Sequence, residues 1–372
     1  MGIGLFLILI FQVSAQVHPA YLPDKMGVWQ PFRMSCSGSG QGITAEQNRV
    51  YSSKLQKLSE AIHHAQVFNP PMGIEARPTG CVNATIEFLD DYPGNRTGPI
   101  PGYVMIGTFS YADYAGTTRV VVADEGPHFF VDVNSLVQLY HGSAVIAKDE
   151  RGEMFLEPGV ARTVTGLPLY ENGCIVITRN PQPIFQAVTV ERFLRARIRE
   201  TQAELADFQR RHQDLVGESR QKSDQQSYQR LMARNPADAE KFRQSTQQAR
   251  QRDDQLFTKL EQSKQTEIAG YQSQLASLSS EQRGSQAYAS LNYYANGKHL
   301  LVNTNQPGAK PLVGFNPDFY DRSRPRTDVQ SIAVCRLYEK ELRKKSYDPQ
   351  YERLIEFRNS FDFQTLTPML DR

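Results

Sequence analysis

The 372-residue chain has only four cysteines and one tryptophan, and no apolar run of membrane-spanning length. A spanning helix needs about 20 consecutive apolar residues, so no transmembrane segment is expected in the mature chain. An excess of one charge is also missing. The 42 Lys and Arg against 40 Asp and Glu leave a formal net charge of +2, which gives no signal for nucleic acid. His-Glu-x-x-His, Gly-x-Ser-x-Gly, Gly-x-Gly-x-x-Gly and a Walker loop are all absent, and with them the usual settings for zinc, a nucleophilic serine, a dinucleotide or a nucleotide phosphate. No Cys-x-x-Cys pair occurs, which removes the commonest metal and dithiol spacings. No catalytic, cofactor-binding or metal-ligating set is assigned. The composition, 40% hydrophobic and 10% aromatic, still describes a folded protein.

Residues Gly2 to Val13 form a short apolar run closed by Val13-Ser14-Ala15. It is too short to span a bilayer but suits a signal peptide, with cleavage expected after Ala15. The chain lacks the usual positive n-region, and no cysteine follows the run to carry a lipid anchor. The expected location is therefore outside the cytoplasm, periplasmic or extracellular. In that setting the widely spaced Cys36, Cys81, Cys174 and Cys335 read as disulfide candidates. Four cysteines allow three pairings, and spacing does not choose among them.

Thr189 to Arg283 is almost free of strand signals and rich in Gln, Arg and Glu. In its first half Leu194, Ile198, Thr201, Leu205, Phe208, His212 and Leu215 recur at gaps of three and four. In its second half Phe257, Leu260, Lys264, Ile268, Tyr271, Leu275 and Leu278 do the same. A 3.5-residue period places such side chains on one stripe, which two antiparallel helices bury between them as a short coiled coil. Thr189 is the expected N-cap of the first helix. Asn235-Pro236-Ala237-Asp238 then stops one helix and starts the next. Pro suits the first position, Asn235 caps, and Asp238 sits near the positive end of the dipole. Gly217 to Gln226 has no apolar side chain, so the first arm is expected to break or fray there.

The remaining segments frame this hairpin. Thr44-Ala45-Glu46-Gln47 forms a capping box for a helix expected to run to about Phe68, with Tyr51, Leu55, Leu58, Ile62 and Ala65 on one face. Between Cys81 and Thr178 the pattern changes to short strands broken by Gly, Asn and Pro, which argues for an antiparallel sheet or small barrel. Asn134 is expected to cap a short helix ending at Tyr140. Further strands are expected at His299 to Asn303 and Asp328 to Arg336, then helices over Asp348 to Phe361 and around Leu366 to Leu370. The expected fold is α+β, an antiparallel β-rich body carrying an N-terminal helix and a long antiparallel helical hairpin. Its divisions are 1–15 (signal peptide), 16–79 (N-terminal helical segment), 80–186 (β-rich body), 187–284 (hairpin, turning at 235–238) and 285–372 (strands and helices rejoining the body).

Three polar groups have candidate chemistry. Asp124, Glu125, His128 and Asp132 cluster, and on a strand His128 and Asp132 share a face, where a carboxylate tunes an imidazole as a general base. The competing reading is a wet sheet face. Arg322, Arg324 and Arg326 fit either an anion site or a set of structural ion pairs. Ser37 to Gly42 is Gly-rich but follows no strand, so it reads as a flexible lead-in to the helix. His63 and His64 are adjacent, point about 100° apart on a helix, and cannot jointly face one metal.

Asn172-Gly173-Cys174-Ile175-Val176-Ile177-Thr178-Arg179, Pro183 and Val188-Thr189-Val190-Glu191-Arg192-Phe193-Leu194 resemble a stretch of exported bacterial proteins of unknown function. In that group a strand ending in Leu-Thr-Arg leads through a Pro-rich link and Pro-Val-Thr-Arg-Glu-Glu into a long helix. Gln274 to Ser279, Asn316 to Asp321 and Pro325-Arg326-Thr327 are similar to later parts of the group. Ala187 stands where its Pro is usual, and Phe185 where Trp is usual. The resemblance implies export and the strand–helix layout, with no activity or cofactor to carry over. In element order alone the chain is also similar to tentacled periplasmic chaperones and to adaptors of efflux systems. The functional expectation is a non-enzymatic binding or structural protein whose hairpin contacts another protein. The alternative is a secreted hydrolase with its site near His128 and Asp132.

Overall fold

The computed structural model describes residues 20–36, 42–82, 98–114, 116–120, 127–141, 145–337 and 349–372. The expected signal peptide, its cleavage after Ala15, the Gly-rich residues 37–41 and the pair Asp124 and Glu125 lie outside the described residues.

In chain order, short strands β1 (Ala20–Tyr21), β2 (Val28–Trp29) and β3 (Arg33–Cys36) precede helix α1 (Ala45–His63). Then come β4 (Ile74–Val82), β5 (Gly102–Tyr114), β6 (Thr117–Val120), β7 (His128–Val133) and the short helix α2 (Val137–His141). Strands β8 (Val145–Asp149), β9 (Gly152–Leu156), β10 (Val160–Val164), β11 (Leu167–Tyr170), β12 (Ile175–Thr178) and β13 (Phe185–Ala187) lead to the helical insertion. That insertion is α3 (Val190–Val216), α4 (Glu218–Met232), α5 (Pro236–Ser277) and α6 (Ser280–Gly284). The chain ends with β14 (Tyr288–Ala295), β15 (Lys298–Leu301), β16 (Lys310–Phe315), β17 (Ser331–Cys335), α7 (Pro349–Ser360) and a 3₁₀ helix over Phe363–Met369.

Among the described residues the strands form two sheets, and the fold is α+β as the sequence implies. The larger has eleven strands around the path β10-β11-β12-β17-β7-β5-β4-β2, and the smaller has six around β15-β14-β16-β9-β8. Pairing is antiparallel except that β2 and β3 run parallel to β4. The gap between those two short strands lies opposite Arg77 and Pro78: β2 pairs with Glu75 and Ala76, and β3 resumes at Thr79. Pro78 has no N–H to donate, so the neighbouring strand is interrupted where the ladder has nothing to offer it.

One face of the large sheet packs Ile106, Phe129, Val131, Ile332 and Val334 against Tyr51, Leu55, Leu58 and Ile62 of α1 and against Phe357 and Phe363 near the C-terminus. The capping box of α1 forms as its sequence indicates, Thr44 Oγ1 accepting from Gln47 N and Gln47 Oε1 from Thr44 N. The helix stops at His63 rather than near Phe68. Ala65 and Phe68 instead turn through hydrogen bonds to the carbonyls three residues back, which drops Val67 and Phe68 into the core. The opposite face of the sheet is covered too. Leu136 and Leu139 of the α2 region join Val176, Ala333 and Phe319 on that side, while Val137 and Tyr140 meet Phe155 and Val313 of the small sheet. Helix α2 is therefore wedged between the sheets.

Asn134 does not cap α2. It takes a left-handed φ of 54°, and its side chain accepts from the N–H groups of Gln330 and Ser331 and donates to the carbonyls of Ile100 and Asp328. It satisfies backbone at the end of the β7/β17 ladder, where an amide can both donate and accept.

Two disulfides pin the large sheet, Cys36–Cys81 and Cys174–Cys335. The first joins register partners on β3 and β4. The second joins the flank of β12 to the end of β17 across 161 residues, a loop that contains the whole hairpin and most of the small sheet.

The hairpin interrupts a strand. β13 and β14 lie end to end along β16, Ala187 opposite Val313 and Tyr288 opposite Pro311. Between them Val188 donates to Leu312 O, Leu312 donates to Ala287 O, and Thr189 bridges Gln286. The helices thus leave and return at one point of the small sheet, with both bases held by backbone hydrogen bonds.

Candidate functional site

Local signals in the sequence build the hairpin. Thr189 Oγ1 accepts from Arg192 N and starts α3. At the far corner Asn235 Oδ1 accepts from Ala237 N and Asp238 N, its Nδ2 donates to Asp238 Oδ2 at 2.7 Å, and Pro236 occupies the first helical position. With 42 residues, α5 extends about 60 Å at ~1.5 Å per residue. The first arm breaks at the single residue Gly217, with ψ at 171°, rather than over ten residues. A Cβ there would sit 2.3 Å from Gln213 O, so only glycine fits this joint.

The contact between the arms changes character along its length. At the base Leu194, Phe193 and Ala196 pack with Tyr271, Leu275 and Leu278 against the small sheet. One layer out the seam is ionic. Lys298 of β15 is 4% exposed, and its Nζ reaches Thr201 Oγ1 at 2.7 Å, Glu204 Oε2 at 3.0 Å and Glu267 Oε1 at 3.2 Å. Lys264 of α5 bridges the same carboxylates, at 2.5 Å to Glu204 and 3.4 Å to Glu267. Burial opposes the charge on Glu204, but hydrogen bonds from Lys264 and Lys298 outweigh it and hold the carboxyl below its ordinary value. Burial, and then the charge of Glu267, push the Tyr271 phenol up to about 12. Buried Arg197 donates to His299 O at 3.0 Å and pairs with Glu200. Helices α3 and α5 and strand β15 are thereby locked into one base.

Farther out, the His212 ring stacks on Phe257 at 5.1 Å, and its two nitrogens face Asp254 and Glu261. Leu215, placed on the stripe by its spacing, is 42% exposed, because the joint at Gly217 turns the chain just beyond it.

Beyond that joint α4 and α5 enclose a groove of about 520 Å³. Gln221, Asp224, Gln225 and Tyr228 line one side, and Phe242, Arg243, Thr246, Gln247 and Arg250 the other. Arg250 Nη2 donates to Asp224 Oδ2 at 2.6 Å across it, while Arg250 Nε has no hydrogen-bond partner. Tyr228 and Phe242 are half-buried, and Leu256 and Met232 nearby in sequence are 54% and 42% exposed. This volume falls within the range of pockets that take ligands or side chains. The spacing of apolar residues indicated two arms. It did not indicate a groove, because most of the residues that form it are polar.

His128 and Asp132 share a face of β7, as alternation requires, but at Asp132 that face is not wet. Asp132 is 1% exposed, opposite Tyr103 and Ala333, beneath α2 and the small sheet. Burial pushes its carboxyl up to about 8, with Arg336 opposing, and Oδ2 has no hydrogen-bond partner. His128 Nε2 is bonded to Arg336 Nη1, and the Arg336 guanidinium lies over Phe130. Two further cavities, of about 380 and 220 Å³, are lined by other residues, among them the ion pairs Glu171–Lys310 and Lys54–Asp371.

The three loop arginines are spent internally. Arg324 pairs with Asp328, Arg326 donates to Gly98 O and Gly42 O, and Arg322 donates to Pro317 O. Among the described residues no helix is long and apolar enough to cross a membrane, and no group of three or more His, Cys, Asp or Glu is placed to hold a metal.

Comparisons with family models, with curated proteins and with solved structures find no match for this chain.

Proposed function

We propose that this is an exported, non-enzymatic binding protein that engages another protein with the distal half of its helical hairpin. The observation that carries the reading is the groove between α4 and α5, at the far end of an arm whose base is rigidly built into a sheet. Binding groups on a rigid support lose little entropy on association. Two disulfides are compatible with an oxidising compartment, the periplasm or the cell exterior. The alternative, a hydrolase using His128 and Asp132, needs a path for substrate to a carboxyl that is 1% exposed, and neither residue lines the three cavities described above.

A photo-activatable side chain at Tyr228 or Phe242 is expected to give one discrete protein adduct in the exporting cells. The same group at Glu157, on the body, is expected to give none. No adduct at either hairpin position would remove the reading. If His128→Ala abolished a turnover without changing the melting temperature, the hydrolase would replace it.

A further inference from the structure

Charge is unevenly distributed along the hairpin. Residues 217–252 contain eight Lys and Arg against four Asp and Glu, a net +4, in a chain whose whole formal charge is only +2. Near the body the cations are neutralised locally: Arg195 by Glu191, Arg199 by Glu150, Arg211 by Asp207 and Lys264 by Glu204. Around the corner the compensation is incomplete: Arg243 pairs with Glu240 and Arg250 with Asp224, but four further cations have no such partner. Arg230, Arg234, Lys241 and Arg252 are exposed and have no ion pair among the described residues. Two more arginines, Arg243 and Arg250, line the groove itself, beside the rings of Tyr228 and Phe242. Asp224 of the groove is already shared between Arg220 and Arg250.

From this we infer that the partner presents an acidic protein segment, which lies in the α4/α5 groove with an apolar side chain against Tyr228 and Phe242 and its carboxylates toward the surrounding cations. The inference rests on the partner-binding reading above and specifies the chemistry of that partner. Complementary charge of this kind speeds encounter and discriminates among partners, and salt screens it. Arginine forks suit carboxylates because they bind them bidentately.

The test uses the full chain and a fluorescein-labelled peptide rich in Glu with two Phe residues, read by anisotropy. Its controls are the same peptide with Gln for Glu, and vesicles containing phosphatidylglycerol. The acidic peptide is expected to bind, with affinity falling about tenfold between roughly 50 and 300 mM salt. Arg234→Glu with Lys241→Glu is expected to weaken it about tenfold. Both positions are exposed, and the milder pair Arg234→Gln with Lys241→Gln is expected to give an intermediate loss at an unchanged melting temperature. Absence of binding, equal binding of the Gln peptide, or binding of the vesicles alone would overturn the inference, the last in favour of a lipid surface. A photo-adduct at Tyr228 that the acidic peptide does not compete away would leave partner binding standing while removing the acidic class.

Discussion

Lys298→Met is expected to destabilise the protein by about 3–5 kcal/mol, the usual cost of removing one partner from a buried ion cluster. The methionine fills the space but leaves Glu204 and Glu267 with Lys264 alone, at a place where Glu267 is 7% exposed. Thr201 Oγ1, 2.7 Å from the Lys298 ammonium, loses its donor as well. For a chain of this size that is roughly a 5 °C fall in the transition containing the hairpin base. Adding Glu267→Gln removes the uncompensated charge and is expected to restore part of the loss, because the interaction is between neighbours and not additive. Calorimetry on the single and double variants decides it. A single variant that melts with the wild type would show that the cluster does not fix the arms to the sheet.

The second large effect concerns pH. Asp132 titrates near 3.8 when exposed and near 8 in the fold. Between those values the folded chain holds a proton that the unfolded chain has released, so stability falls as pH rises from about 4 to about 8 and levels off above. The full span is worth on the order of 5 kcal/mol. Asp132→Asn keeps the shape, cannot ionise, and is expected to flatten the slope. Its melting temperature should match the wild type near pH 3.5 and exceed it near pH 9. Parallel curves for the two proteins would mean that the carboxyl ionises without penalty and that the site is not dry.

That burial was not legible in the strand. The sequence put His128 and Asp132 on one face and the apolar Phe129, Val131 and Val133 on the other. Alternation names two faces but does not tell whether something covers the polar one. Here a second sheet does, recruited from residues as distant as Phe315 and Phe319. The same limit applies to the disulfides, since Cys174 and Cys335 meet only because β12 and β17 pair across more than 150 residues. β4 was hidden for a different reason. Pro78 and Gly80 are residue types that weaken a strand, yet this one tolerates them because its neighbour is interrupted beside Pro78, and a Cβ on Gly80 would strike the Phe32 ring.

What was legible is what neighbours decide. The capping box at Thr44, the N-cap at Thr189, the Asn-Pro corner and the weak place at Gly217 all form from side chains within four residues of the backbone they satisfy. The stripe of Leu194, Ile198, Thr201 and Leu205 was readable for the same reason. Its polar member Thr201, and Lys264 on the facing stripe, are not apolar seam residues. They are the ligands of a cluster that β15 completes.

The central claim is that the distal hairpin is an arm for contact and not a support for the body. Excising residues 217–252 and closing 216 to 253 with a short Gly-Ser turn tests it most directly, with melting and partner retention measured on the same preparation. The account predicts that the sheets melt as before and that the adducted partner is lost. A body that no longer folds, or one that keeps its partner without the arm, would contradict it.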